Sequence, residues 1–566
     1  MKSSRIFFIG FFVIACALLF VGRLYYLQIM YGDHFRNKAD RQYTKQGDTI
    51  FNRGSIFFSA KDGSLVSAAT LKTGYTLALN PKLIEYPEDV YNSFSDIFEL
   101  SEEDFLLKAT KVNDSYEEIA KRLDTDTKTR IESLKLAGVN VYKEKWRYYP
   151  YGKIAAHTLG FVGYKEENEI GGLYGLEKYY NDTLSRSSEG AYQNFFAEIF
   201  LNLSESLKGK KSEGDIVLTI EPTVQEELEN RLQKIEDTWK SDLSGGVIMD
   251  PYTGEIYALA LAPTFDLNAY SSEKDFRVFG NPIIQGVYEM GSIVKPLAMA
   301  AGIDAGVVTP ETTFTDKGSV TIDGAKISNF DGRGRGEVNM QKVLNDSLNT
   351  GMAFVASRLG NKQLTDYYVS LGLGEETGID LPGEVYGKIE NLFNNRAVEH
   401  ATAAFGQGIA LTPIATVRAL SALGNGGILP NPHVVKRIDY TTGLSKEVTA
   451  SEPTRVFSEK TSETITRMLV NVVDEALLKG TVKIPRYSVA AKTGTAQIAR
   501  TTERGYYDDR YLHSFFGYFP AYKPRFIIFL FTVYPKGAEY ASHTLTEPFM
   551  DMTKFLISYY SIPPDR

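Results

Sequence analysis

Behind Lys2 and Arg5 runs an unbroken apolar stretch, Ile6 to Gly22, and no other feature constrains the architecture of this chain as strongly. Such a run is about the minimum that crosses ~30 Å of hydrocarbon as a helix. Arg23 is placed to snorkel, and Leu24-Tyr25-Tyr26-Leu27 supplies aromatic residues for the membrane interface. Positive charge ahead of the run predicts a short cytoplasmic tail over 1–5, an anchor over 6–28, and everything later on the outer side. Ala15-Cys16-Ala17 has the form of a cleavage site, but it sits inside the apolar core and is followed by Leu-Leu-Phe-Val, so an uncleaved anchor is expected.

With 566 residues, 43% of them hydrophobic and 23% charged, the remainder has material for more than one packed core. The formal net charge is −8 and no basic stripe occurs, which argues against nucleic acid as a partner. A single cysteine, Cys16, excludes an intramolecular disulfide, and the six histidines lack the close pairing of helical zinc motifs.

Two regions follow the anchor. Residues 29–219 mix alternating strands, such as Thr73 to Leu79, with polar helices, one starting near Ser101-Glu-Glu-Asp104. No nucleophile stands beside a base there, and a docking or pedestal module is expected. From Glu221-Pro222 a helix is predicted, because Val224, Leu228, Leu232, Ile235 and Trp239 recur every three or four residues. A hairpin is expected around Asp250-Pro-Tyr-Thr-Gly254, and helices and loops over about 285–480. Strands are expected at Tyr487–Gln497, Ser514–Phe519 and Arg525–Tyr534, and a closing helix from Phe549 to Tyr560. Strands that enclose a helical block predict an α+β sheet domain with a helical insert over about 220–566.

Three short motifs carry chemistry. In Met290-Gly-Ser-Ile-Val-Lys-Pro296, Ser292 and Lys295 are three apart and share a helix face. A serine hydroxyl needs a base to become a nucleophile, and a desolvated lysine amine can be that base. Ser347-Leu-Asn349 places a hydroxyl and an amide where a loop or helix end can aim both into a cleft. Lys492-Thr493-Gly494-Thr495, after a β-rich run, offers a cation and two hydroxyls to a substrate carboxylate, with the glycine allowing close approach to the backbone. Each motif alone is weak. In this order they match the S-x-x-K, S-D-N and K-T-G set shared by β-lactamases and penicillin-binding proteins, departing only at the centre of the second.

The chain thus resembles the class B penicillin-binding proteins, and the likeness extends beyond the three motifs. Arg53-Gly-Ser-Ile56, Arg147-Tyr-Tyr-Pro-Tyr-Gly152, His157 to Gly163, Gly175-Leu-Glu177, Asp250 to Ile256, Phe405 to Pro413 and His513 to Pro520 all look like segments of that family. The resemblance implies a catalytic domain built as an antiparallel sheet with helices on both faces and a helical subdomain, and a D,D-transpeptidase that needs no cofactor. Ser292 would attack the penultimate D-alanine of a stem peptide, with Lys295 as base, its pKa lowered by burial beside Lys492. Ser347 would relay a proton, supported by Lys492. Asn349 would orient Lys295 and bond the donor amide. Thr493 and Thr495 would hold the terminal carboxylate, Gly494 would admit the substrate backbone, and the N–H groups of Ser292 and Thr495 would form the oxyanion hole. It further implies peptidoglycan stem peptides on a lipid-linked precursor as substrates, β-lactams as acylating inhibitors, and a polytopic membrane glycosyltransferase of the division or elongation machinery as partner. The cell location implied is the bacterial cytoplasmic membrane. A D,D-carboxypeptidase, and a weakly catalytic division scaffold or β-lactam sensor, are the alternatives.

Two further segments read as structural. Gly332-Arg-Gly-Arg-Gly336 lacks the Lys-Ser/Thr of a phosphate loop and is expected to be a turn. Asp508-Asp509 is expected in a solvated loop.

Overall fold

The computed structural model describes residues 51–111, 113–165, 170–186, 213–448, 454–500 and 505–566. The anchor expected over 6–28 lies outside them. Among the described residues no helix is long and apolar enough to cross a membrane.

The chain divides into two compact units. The smaller is built on Lys72–Trp146. The second half of a long strand, Leu65–Leu79, pairs there with Glu117–Leu123 and Val139–Tyr148. Helices Pro87–Ser95, Glu102–Ala109 and Thr125–Ser133 cover the strands. Ser101 and Asp124 cap the last two through their side-chain oxygens, which satisfies backbone donors the helices cannot. Leu77, Leu79, Val90, Phe94, Phe105 and Ile131 form the core, with Phe94 edge-on to Phe105 at 6.0 Å between ring centres.

The larger unit takes in Arg53–Leu71 and Arg147–Arg186 together with the later residues, so contacts do not divide the chain at 219/220. Helix α1 (Pro222–Trp239) carries the expected apolar face, with Val224, Leu228, Leu232 and Ile235 buried. Strands β1 (Leu243–Met249) and β2 (Ile256–Ala262) form the expected hairpin. After helices α2 (Lys295–Asp304) and α3 (Asn349–Leu359) come β3 (Ala490–Ala499), β4 (Tyr506–Phe519), β5 (Phe526–Val533) and the closing helix α4 (Thr546–Tyr559). The sheet order is β3-β4-β5-β1-β2, antiparallel throughout. Side chains alternate across a strand, and β5 is apolar on both faces. Phe526, Ile528 and Leu530 pack towards α1 and α4, while Ile527, Phe529 and Phe531 pack towards the helical block with Ile293, Leu297 and Val417.

Three findings depart from the sequence reading. A second sheet runs through the larger unit, because Gly214–Leu218 pairs parallel with Ile56–Ser59 and antiparallel with Val435–Tyr440. Val435–Tyr440 falls in the stretch read as helices and loops, as do short hairpin strands at Ser319–Ile322 and Ala325–Ser328. Asp508 and Asp509 lie exposed on β4 rather than in a loop, since β4 begins at Tyr506.

Arg53, Arg147 and Glu177, from three separate segments, meet in one buried knot. Both arginine Nε atoms lie 2.5 Å from Glu177, one on each carboxylate oxygen, and all three side chains are at most 4% exposed. Arg53 also donates to the Glu177 carbonyl at 2.7 Å and Arg147 to the Gly54 carbonyl at 2.7 Å.

Candidate functional site

The turn carrying Ser292 is fixed from three sides. Tyr288 and Leu411 exchange both backbone hydrogen bonds, at 2.9 and 2.8 Å, and Gly291 N–H donates to the Gly406 carbonyl at 3.1 Å. Ser514 Oγ, from β4, donates to the Met290 carbonyl at 2.9 Å. Gly291 has φ +62°, and a Cβ there would meet the Thr495 carbonyl oxygen at 2.8 Å, so only glycine lets this turn lie against β3. Ser292 sits in a 3-10 turn, Gly291–Ile293, and Lys295 opens α2 behind it.

Ser347 lies between helix Met340–Asn345 and α3, in the left-handed conformation at φ +54°. Strain of this kind persists only where the surroundings fix it. Its Oγ takes hydrogen bonds from Lys295 Nζ and Lys492 Nζ, both at 3.1 Å, and its carbonyl accepts from Lys295 Nζ at 2.5 Å. Lys492 Nζ also donates to the Thr493 carbonyl at 3.1 Å. The lysines are 0% and 3% exposed. Burial, then the neighbouring Lys492 charge, holds the Lys295 amine well below the usual lysine range. Burial lowers Lys492 to about 8. The two amines thus share one hydroxyl, and both are easier to deprotonate than an ordinary lysine, Lys295 by burial and by the Lys492 charge, Lys492 by burial.

Asn349 Nδ2 donates to the Ser328 carbonyl at 2.9 Å, while the hydrogen bonds of Lys295 Nζ run to Ser347. The next residue, Thr350, is anchored by a group the sequence did not reveal. Its Oγ1 donates to Asp316 at 2.8 Å and its N–H to Asn329 Oδ1 at 3.2 Å, while Asn329 Nδ2 donates back to the Asp316 carboxylate at 3.0 Å. Neither Asp316 nor Asn329 belongs to a local motif, and only the folded loop brings them to α3.

Ser292, Ser347, Asn349, Thr493 and Thr495 line one cleft of about 480 Å³, with the edge strand β3 as a wall. Thr495 Oγ1 accepts from Ala541 N–H at 3.1 Å. Lys295 and Lys492 stand behind this lining. Gly494 does not face the cleft. A Cβ there would meet Ser514 Oγ at 2.4 Å and the Met290 carbonyl oxygen at 2.7 Å, so the missing side chain serves the approach of the nucleophile turn and not that of a substrate. Gly494→Ala is expected to lower acylation by a penicillin about 10²-fold, because Met290 must move and Ser292 moves with it. A wild-type acylation rate in that variant would refute the packing role.

No group of three or more His, Cys, Asp or Glu among the described residues could hold a metal ion. Sequence reasoning also missed the outer end of the cleft, where Phe330, Tyr511, Glu539 and Tyr540 join the wall. These residues come from separated loops and strands with no shared spacing.

Comparison with known proteins agrees with this geometry. The family model of the penicillin binding protein transpeptidase domain matches residues 245–553, and that of the penicillin-binding protein dimerisation domain matches 52–199. Stage V sporulation protein D of Bacillus subtilis is 31% identical over 555 residues, covering 96% of this chain and 84% of that protein. Peptidoglycan D,D-transpeptidase MrdA of Acinetobacter baumannii is 28% identical, with 93% and 84% covered. Among solved structures, ligand-free penicillin binding protein 3 of Mycobacterium tuberculosis matches with a TM-score of 0.65 at 26% identity, covering 75% of this chain and 92% of that one. Penicillin Binding Protein 2X from Streptococcus thermophilus shares the fold at a TM-score of 0.74 and 18% identity, covering 91% and 81%. With both domain models in sequence order and a relative above 30% identity along nearly its whole length, this chain belongs to the class B penicillin-binding proteins.

Proposed function

We infer that the cleft carries out serine D,D-transpeptidation of peptidoglycan stem peptides. The observation that carries this reading is the buried Lys295 amine, which shares the Ser347 hydroxyl with Lys492 behind a cleft lined by Ser292. Lys295 takes the Ser292 proton as Oγ attacks the carbonyl carbon of the penultimate D-alanine. Backbone N–H groups of Ser292 and Thr495 receive the oxyanion. When the tetrahedral adduct collapses, the C–N bond to the terminal D-alanine breaks, and a proton passes through Ser347 to the leaving amine. The Lys492 charge, with Thr493 and Thr495, draws the terminal carboxylate to that end, and Asn349 bonds the donor amide. An acceptor amine then attacks the Ser292 ester. Its proton returns through the same groups, Oγ leaves with a proton, and the cross-link is released.

A β-lactam presenting the same acyl group acylates Ser292 and stays. The transpeptidase domain is assigned to 220–566 and the pedestal to 29–219, with the anchor over 6–28 holding both on the outer face of the cytoplasmic membrane. The apolar run and its flanking charges support that topology. A polytopic glycosyltransferase of the division or elongation machinery supplies glycan strands, because neither matched domain is a polymerase.

The test is labelling by a fluorescent penicillin. Wild type is expected to be labelled covalently, and Ser292→Ala not at all while its melting temperature is retained. An unlabelled but folded wild type would sink the reading.

A further inference from the structure

The cleft is electrically polarised, and the mechanism above uses only one of its ends. Lys295 and Lys492 stand at the Ser347 end. At the opposite end the wall contains one charged side chain among the described residues, Glu539, on the segment between β5 and α4. Glu539 is exposed, but its backbone is not free to wander. His513, buried in β4, has Nε2 3.2 Å from the Glu539 carbonyl, and two residues on, Ala541 N–H binds Thr495 Oγ1. The backbone that bears this carboxylate is therefore fixed at the rim, next to Thr495. Tyr540 OH donates to Glu539 Oε1 at 2.9 Å. The Glu539 charge also helps hold the Tyr511 phenol above its usual range, after burial, with Asp508 and Asp509 adding to the effect. Two arginines of neighbouring segments have their own partners: Arg335 pairs with Asp331 at 2.8 Å, and Arg510 stacks on Tyr507 at 4.2 Å.

A carboxylate flanked by two tyrosine rings is a binding environment for a primary ammonium, through charge-assisted hydrogen bonds and the ring faces. The donor carboxylate is drawn to the Lys492 charge, which leaves the Glu539 carboxylate for a cation. The group of opposite sign that the reaction needs is the amine that resolves the acyl-enzyme. We propose that Glu539, with Tyr511 and Tyr540, forms the acceptor-side specificity site, which captures the ammonium of the incoming stem peptide at the exposed rim. From there the ammonium loses one proton to solvent water and passes as the neutral amine to the Ser292 ester. The proposal rests on the transpeptidase reading of the same cleft.

The test separates the two half-reactions. Wild type and Glu539→Gln are given a benzoyl-D-alanyl thioester as donor and D-alaninamide as acceptor, and the ratio of amide product to free acid is measured against ionic strength. The ratio in Glu539→Gln is expected to fall about tenfold at low salt. Added salt should lower the wild-type ratio towards that of the variant and leave the variant unchanged. Glu539→Asp should recover part of the loss, and penicillin labelling should be the same in all three. An unchanged ratio, a variant that keeps the wild-type salt dependence, or an equal loss of penicillin labelling would each overturn the proposal. Absence of acylation in the wild type would instead mark failure of the transpeptidase reading itself.

Discussion

Lys295→Met is expected to lower the rate constant for penicillin acylation by about 10³-fold, the scale on which a positioned general base acts. The loss should come without loss of fold. Lys295 is 0% exposed, and its lowered pKa reflects the cost of burying an ammonium. The sign of the linkage follows from the lowered pKa. The folded state binds fewer protons than the unfolded chain between the depressed pKa and the ordinary one near 10.5, so this residue's contribution to stability rises with pH across that window. Methionine removes that slope, and Lys295→Met should melt no lower than wild type at neutral pH.

The wild-type rate should follow a bell. It climbs as Lys295 loses its proton and falls as Lys492 loses its own near pH 8. Lys492→Arg, which keeps the charge, should carry the falling limb to higher pH. A flat profile from pH 6 to about 10, or acylation within tenfold of wild type in Lys295→Met, would show that another group takes the Ser292 proton.

The second large effect concerns stability. Glu177→Gln keeps the shape of the Arg53–Glu177–Arg147 knot but leaves two buried guanidinium groups without a counter-charge. Breaking a buried pair in this way costs about 3–5 kcal/mol, because the desolvation penalty stays while the attraction goes. Since these residues lie in the same compact unit as the catalytic sheet, the loss should appear as a lower temperature at which penicillin labelling disappears. The triple replacement Arg53→Met, Glu177→Leu, Arg147→Met should recover much of it, since an apolar core carries no such penalty. A Glu177→Gln variant that holds its labelling to the wild-type temperature would mean that water reaches the knot.

What was legible in the sequence was local. The face of α1 could be read from Val224, Leu228, Leu232 and Ile235, because a helix repeats its environment every few residues. The caps at Ser101 and the hairpin at Gly254 were legible for the same reason. The chemistry was legible because Ser292 and Lys295, and then Lys492 and Thr493, stand close in sequence. Their convergence on Ser347 was not derivable from spacing and entered through family resemblance. Pairing between distant strands left no local trace, and Val435–Tyr440 is recognised as a strand only once Gly214–Leu218 lies beside it. Gly494 was assigned to the substrate side because a sequence does not show which face of a strand is already occupied. Glu539 has no motif at all, and its importance comes from where the rim of the cleft falls.

The second sheet also bears on how this protein can be made. Ile56 pairs with Ile216, and Ile216 with Ile438, so strands that are neighbours in the sheet lie far apart in sequence. Contacts this distant in sequence form slowly, because long loops must close before any pairing rewards them. During synthesis from the N-terminus, Ile56–Ser59 can pair with Leu65 to Ala69 at once, but its other edge stays bare until Gly214–Leu218 has emerged. That strand in turn waits for Val435–Tyr440. The nascent molecule therefore carries open strand edges for most of its elongation, the condition under which β-rich chains associate with one another. Assembly of the larger unit is a late event that needs residues up to 440 in place, and cutting the gene at the apparent start of the catalytic region would remove Gly214–Leu218, against which Val435–Tyr440 pairs, and Ile56–Ser59 beyond it.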